Sequence, residues 1–155
     1  MPWFITSMQY PETPGASVRE ALSADVPRIC DLARQLGYDI TSAHVQRHLQ
    51  SLGSRRCLFV AVVPRAGVVG WIEIGLSGGM LAPGGAQIEG LVVEDEFRNT
   101  GIGSQLVAVA SEWAQRHGCS TLWVESNVRR ERAHRFYTKL GFQVLKQECV
   151  FTRQL

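Results

Sequence analysis

Lysine is nearly missing from this chain: of its 16 basic residues only Lys139 and Lys146 are lysines, so the other fourteen are arginines. Charge of one sign is missing too. Against 14 acidic residues the formal net charge is only +2, too small for the whole surface to act as a nucleic-acid platform. No apolar run approaches the ~20 residues that a membrane span needs. The opening MPWFITSMQYPETPGAS has neither a charged start nor an uninterrupted apolar stretch, so no signal peptide is expected. Cys30, Cys57, Cys119 and Cys149 form no CxxC pair and have no histidine at metal-ligand spacing. Cys57 and Cys149 lie in or beside apolar runs, the usual setting of buried free thiols. All four are read as reduced thiols of a cytoplasmic protein without a structural metal. What the chain does have is apolar content: 45% of 155 residues, enough for one domain with a single core and too much for a disordered chain.

Residues 1–17 carry Pro2, Pro11 and Pro14 and no periodicity, so they are expected to form an arm before a domain of residues 18–155. The arm's aromatics Trp3, Phe4 and Tyr10 suggest docking, either on its own domain or on a partner subunit; the second would make a homodimer. Ser23 and Asp25 followed by Val26, Ile29, Leu32, Ala33 and Leu36 predict a helix closed by Gly37. Ser42 before Val45, Leu49 and Leu52 predicts another, ending at Gly53. The apolar runs 57–63 and 68–76, separated by a short turn, predict a hairpin. The glycine-rich stretch GLSGGMLAPGGAQ (75–87) lacks apolar periodicity and is expected to be a loop lining a site. Residues 88–93 read as a strand, and Ile102, Leu106, Val109, Ala110 and Trp113 as an amphipathic helix stopped by Gly118. A strand at 121–126 and a helix carrying Ala133, Phe136, Tyr137 and Leu140 follow, and 142–155 reads as strand-like, in two pieces. No internal repeat is found. This order predicts a mixed α/β or α+β layer fold with a parallel βαβ unit between residues 88 and 126.

The most informative segment is IEGLVVEDEFRNTGIG (88–103), a strand that runs through an acidic turn into a helix opening on two glycines. A helix N-terminus presents unsatisfied N–H groups and partial positive charge, which suits an anion. Gly101 and Gly103 remove side chains that would keep a phosphate off the backbone, and Arg98 adds a full charge beside them. A Walker loop is excluded, since GxxxxGK[ST] is absent. A dinucleotide fingerprint is disfavoured: Leu106 stands where the third small residue belongs, although Glu125 lies at the expected distance for an acid.

Arg98-Asn99-Thr100-Gly101-Ile102-Gly103 resembles the R/Q-x-x-G-x-G/A signature of the GNAT superfamily of acyl-CoA-dependent N-acetyltransferases. Downstream, Asn127 followed by Ala133-His-Arg-Phe-Tyr137-Thr-Lys-Leu-Gly-Phe142 resembles the family's second signature, and VREALSADVPRICDLARQLGYD looks like its first strand and helix. The resemblance covers about residues 18–155. It implies a mixed, mostly antiparallel sheet flanked by helices and splayed between its fourth and fifth strands, with acetyl-CoA in the gap and no metal. It also implies direct attack of an amine on the thioester within a ternary complex. That chemistry needs a base for the ammonium proton, donors for the developing oxyanion and an acid for the departing thiolate.

Glu89 is the candidate base, because a carboxylate inside an apolar strand is expected to be desolvated and its pKa raised. The plainer reading is a strand-end glutamate facing solvent; Glu73 and Glu125 are weaker candidates. Tyr137 is the candidate acid, as a phenol is a neutral donor at pH 7, although periodicity alone would place it in a core stripe. The resemblance further assigns oxyanion donors to the amides of Leu91, Val92 and Val93. It gives the pyrophosphate to Arg98 and the amides of Asn99, Thr100, Gly101, Ile102, Gly103 and Ser104. Asn127 would meet the pantetheine arm, or simply open the next helix. Of Arg129, Arg130, Arg132 and Arg135, one or two would meet the 3′-phosphate, Arg135 among them, and at least half should be solvated. His44, His48 and His117 read as helix-surface residues. Two rivals stay open: a non-catalytic acyl-CoA-binding module, and a nucleic-acid binder using the 129–135 arginines, which would bind with steep salt dependence. The partner expected is a small-molecule or peptide amine, with no nucleic acid and no membrane.

Overall fold

A sheet of five strands in sequence order organises the chain: β1 (Ser17–Glu20), β2 (Arg56–Val63), β3 (Gly67–Gly79), β4 (Ala82–Val93) and β5 (Leu122–Val124). The computed structural model describes residues 15–80 and 82–155, leaving the side chains of residues 82 and 83 aside. The expected arm therefore lies, but for residues 15–17, outside the described residues. The first three strand pairings are antiparallel and the last, β4 with β5, is parallel. The predicted βαβ unit is present, and the sheet is mixed and mostly antiparallel. Two compact units divide the backbone, one ending at Glu125 and the other comprising Ser126–Leu155.

In the first unit the helices are α1 (Val26–Gln35), α2 (Ser42–Ser51) and α3 (Ile102–Arg116). The apolar stripe of α1, with Leu32 fully buried, packs with Val45 of α2 on Leu58, Val60, Val68 and Val92 of the sheet. Asp25, just before α1, is buried and held by both guanidinium nitrogens of Arg19, at 2.7 and 2.9 Å, and by the Leu22 amide at 2.8 Å. That arrangement, Arg19 foremost, keeps its carboxyl below the usual range. The stripe of α3, with Ile102, Leu106, Val107, Ala110 and Ala114 buried, covers the other face. Gly70 admits it: a Cβ there would lie 2.9 Å from the Val92 carbonyl and 3.3 Å from a Leu106 methyl. Among the described residues no helix is long and apolar enough to cross a membrane.

The second unit holds α4 (Glu131–Lys139) and the chain beyond it. Gly141, with φ 90°, ends the helix in the left-handed conformation glycine favours, and the Phe142 amide closes back on the Tyr137 carbonyl at 3.0 Å.

Three expectations are corrected. The stretch 75–87, expected to be a loop, is over residues 75–79 and 82–87 the far end of the β3–β4 hairpin, paired Gly75↔Gln87, Leu76↔Ala86 and Ser77↔Gly85. Backbone ladders need no side chains, so a glycine-rich strand leaves no hydrophobic period to read. Residues 142–155, read as strand-like, pair into no strand within their own unit, because strand propensity alone supplies no pairing partner. Cys149, expected to be buried, is exposed, whereas Cys57 is buried as expected and its thiol is pushed up to about 11, chiefly by that burial.

Candidate functional site

Strand β4 does two things at once where it passes Glu89. Glu73 pairs with Gly90 and Ile74 with Ile88, so Glu89 is the extra residue of a β-bulge. On its other side β4 pairs with β5 through Ala86↔Leu122, Gln87↔Trp123 and Ile88↔Val124, and no further. From Glu89 onward the β5-side groups of β4 have no strand partner among the described residues, because β5 ends at Val124. Successive amides of a strand alternate in direction. Because the Glu94 amide bonds the Val69 carbonyl at 2.8 Å, on the β3 side, those of Leu91 and Val93 point away from β3, to the unpaired side of β4, while that of Val92 faces β3.

The turn after β4 is built to a fixed shape. A 3₁₀ turn at Asp95–Phe97 leads to Asn99 at φ 62° and Gly101 at φ 89°. Arg98 donates from Nε to the Val93 carbonyl (3.2 Å) and pairs with Asp95 (2.5 Å), and Thr100 Oγ1 donates to the Phe97 carbonyl at 2.5 Å. Arg28 of α1 braces the turn by pairing with Glu94 and bonding the Val68 carbonyl. No side chain caps α3, and the Gln105 amide, bonded to the Gly101 carbonyl at 3.0 Å, is the first to close a helical turn. The amides of Ile102, Gly103 and Ser104 are thus the orphan donors of a helix N-terminus, set behind a glycine rather than a bulky residue.

The carboxylates on these strands are not placed as expected. The Glu89 side chain is 29% exposed, and its Oε1 pairs with Arg56 Nη1 at 3.1 Å. Glu73 is the more buried carboxylate; it meets His48 Nε2 at 2.6 Å and Arg56 Nη1 at 3.6 Å. His48 was missed as a surface residue: it stands on α2, with the His44 ring parallel to it one turn earlier. Arg56 was missed as well. Neither lies near its partners in sequence, and only strand register and helix packing bring them together. Trp71 lies across Gly90, where a Cβ would meet its ring at 2.9 Å, and its buried indole nitrogen has no hydrogen-bond partner among the described residues. Glu125 is exposed.

In the second unit Asn127 Oδ1 accepts from the Arg129 amide at 2.9 Å, and its carbonyl accepts from the Arg130 amide at 2.9 Å. It therefore closes a turn just ahead of α4, whose first turn no side chain caps. Tyr137 is half-buried, edge-on to Phe136 and Phe142 with centroids at 5.2 and 5.4 Å. Burial pushes its phenol up to about 12, with Arg130 pulling the other way. Arg129, Arg130, Arg132 and Arg135 are all exposed, and Arg135 pairs with Glu131 at 3.8 Å. Among the described residues no group of three or more His, Cys, Asp or Glu could hold a metal ion.

Comparison with known proteins accords with this geometry. Residues 26–142 match the acetyltransferase (GNAT) family. Over 57 residues the chain is 40% identical to an aminoalkylphosphonate N-acetyltransferase of Salmonella typhimurium, a match that spans only 37% of either protein. Over 145 residues, 90% of this chain and 94% of the relative, it is 26% identical to an aminoglycoside N(6')-acetyltransferase type 1 of Stenotrophomonas maltophilia. The fold superposes on AAC(6')-Iy, solved in complex with the bisubstrate analog CoA-S-monomethyl-acetylneamine. The TM-score is 0.79 and the identity 16%, over 90% of this chain and 99% of that one.

Proposed function

Because the chain belongs to the GNAT acetyltransferase family, we propose that it transfers the acetyl group of acetyl-CoA to a primary amine by direct attack in a ternary complex. One observation carries the reading. The strand that loses its neighbour after Ile88 leads through one shaped turn into an uncapped helix behind a left-handed glycine. Backbone donors then line both an oxyanion position and an anion position. These residues fit the coenzyme: Asn99, Thr100, Gly101, Ile102, Gly103 and Ser104 offer amides for its pyrophosphate. Arg98 shapes that turn and adds positive charge beside it.

Acetyl-CoA, when bound, supplies an activated acyl carbon. The amides of Leu91 and Val93 stabilise negative charge on the acyl oxygen. Glu89 takes the ammonium proton, directly or through water, and Tyr137 donates to the sulfur; both roles rest on position in the family's motifs. Asn127 and Arg135 are assigned to the coenzyme on the same ground. The acceptor is a small amine, as the relatives' names suggest, and two carboxylates on one sheet face favour a cation.

The test is release of free thiol from acetyl-CoA against a panel of aminoglycosides, aminoalkylphosphonates, polyamines and amino sugars, with free coenzyme A as competitor. Glu89→Gln should lower kcat by about 10²-fold, the low end of a general base's contribution, and flatten the acidic limb of the pH–rate profile. A chain that binds coenzyme A but acetylates nothing would be a binding module. An acidic limb unchanged in the variant would remove Glu89 as the base.

A further inference from the structure

One guanidinium serves two carboxylates on this sheet. Arg56 Nη1 lies 3.1 Å from Glu89 Oε1 and 3.6 Å from Glu73 Oε1, so it leans toward Glu89 without leaving Glu73. Gly75, opposite Arg56 in the register, leaves room for that meeting: a Cβ there would lie 3.2 Å from Arg56 Cγ and 3.3 Å from Glu89 Oε1. The Glu73 oxygen that Arg56 approaches is also the one that His48 Nε2 meets at 2.6 Å. An ionised carboxylate can only accept, so Nε2 carries the hydrogen of this pair whether the ring is neutral or charged.

The His48 side chain is 36% exposed and that of Glu73 15%, so the imidazole exchanges protons with solvent while the carboxylate it holds is largely covered. Imidazole is the side chain whose charge changes within roughly pH 5–8. The other charged groups around it are few. On α2 stand His44, its ring parallel at 6.4 Å, and the exposed Arg47. Glu20 of β1 lines a cleft with Arg56 and with Gln46 of α2. The charged residues of α1 pair elsewhere, Asp31 with Arg34 and Arg28 with Glu94.

Resting on the reading of Glu89 as the base, we infer that His48 is a positioning residue: the charge it presents to Glu73 sets how far the Arg56 guanidinium leans onto Glu89. With a neutral ring, Glu73 and Glu89 share one cation, and the four side chains together carry a net negative charge. With an imidazolium, Glu73 has a cation of its own and Arg56 is left to Glu89. The carboxylate that must take the ammonium proton is then covered by a guanidinium. The negative charge that attracts a cationic amine is cancelled as well. Acetyl transfer is thereby held back on the acid side by a group that touches neither substrate.

Nitrogen-15 NMR of the full chain without substrate tests the link directly. The Arg56 Nε resonance, assigned by its loss in Arg56→Met, should move with pH in step with the His48 ring nitrogens and stay still in His48→Gln. Kinetics on the panel amine turned over fastest tests the consequence. The fall in acceptor kcat/KM from pH 8.5 to pH 6.0 should be roughly 2- to 5-fold smaller in His48→Gln, whose amide still donates to Glu73 but takes no charge. Arg56→Met should shrink it likewise, and adding His48→Gln to that variant should change nothing further, because the guanidinium carries the effect. The amine's own titration is common to every variant and drops out of the comparison. A purely structural His48 would lower activity equally at both pH values and would do so in the Arg56→Met background too. An Arg56 resonance indifferent to His48, or a wild-type pH ratio in His48→Gln, overturns the proposal. Wild-type turnover in Glu89→Gln would instead remove the base reading beneath it, and the Arg56 resonance would still decide whether His48 sets the guanidinium's place.

Discussion

At the scale of single residues, what separates the candidate groups is their surroundings. Tyr137 shows it best. Its phenol is raised to about 12, and a thiol's ordinary pKa is about 8.5, so full proton transfer to the proposed thiolate would run uphill by ~3.5 units, about 5 kcal/mol. The role we propose for it toward the sulfur is therefore hydrogen-bond donation that stabilises the thiolate, rather than full proton transfer. Tyr137→Phe should lower kcat roughly 10- to 100-fold and leave acetyl-CoA binding within about twofold, measured by steady-state kinetics and by titration calorimetry. Equal turnover would remove the donor. Arg56 poses a different question, since its guanidinium stands where a cationic acceptor would approach Glu89. Half-exposed pairs of this kind contribute about 0.2–1 kcal/mol, so Arg56→Met should lower the acceptor KM by roughly 1.5- to 5-fold and leave the acetyl-CoA KM alone. A rise in acceptor KM would instead show that Arg56 holds Glu89 in place. Glu89 and Tyr137 are candidates because motif position names them. Arg56 and His48 were not, because their partners lie across a strand register and a helix contact that no spacing encodes.

At the scale of elements, β4 concentrates the working features: a bulge at Glu89, lost pairing beyond Ile88, and Gly90 under Trp71. The bulge and the close approach belong together. Glu89 takes no place in the β3 register, and the next residue needs no side chain because the Trp71 ring occupies that volume. Gly90→Ala should push the ring aside and cost about 1–3 kcal/mol, read as a lower urea midpoint at unchanged slope. Trp71 fluorescence should shift with it; wild-type stability would mean the ring moves freely. The sequence announces the strand, the turn and the helix after it through periodicity and glycine. It cannot announce the pairing of residues 75–79 with 82–87 in the same way, since that pairing is carried by backbone alone.

At the scale of the whole molecule, stability against pH follows from three groups whose environments differ between folded and unfolded chains. Asp25 is held below its ordinary value, so its contribution is complete above about pH 3.9 and is lost as pH falls through the folded pKa. Arg19 is partly exposed, which makes this acid effect modest. Cys57 and Tyr137 behave in the opposite sense. Each is neutral in the fold and raised from its ordinary value, Cys57 from 9.0 to about 11 and Tyr137 from 10.0 to about 12. Stability from each is complete below the ordinary value and disappears as pH rises toward the folded one. A shift of about two units corresponds to roughly 2–3 kcal/mol per group at 1.36 kcal/mol per unit. Unfolding free energy should therefore fall between about pH 9 and pH 12, in two overlapping steps. Urea titrations across that range check this, with Cys57→Ala flattening the lower step and Tyr137→Phe the upper. Because each variant also changes packing, the comparison is of slopes against pH rather than of midpoints at one pH. Parallel curves for wild type and both variants would show that neither group is neutral by reason of the fold.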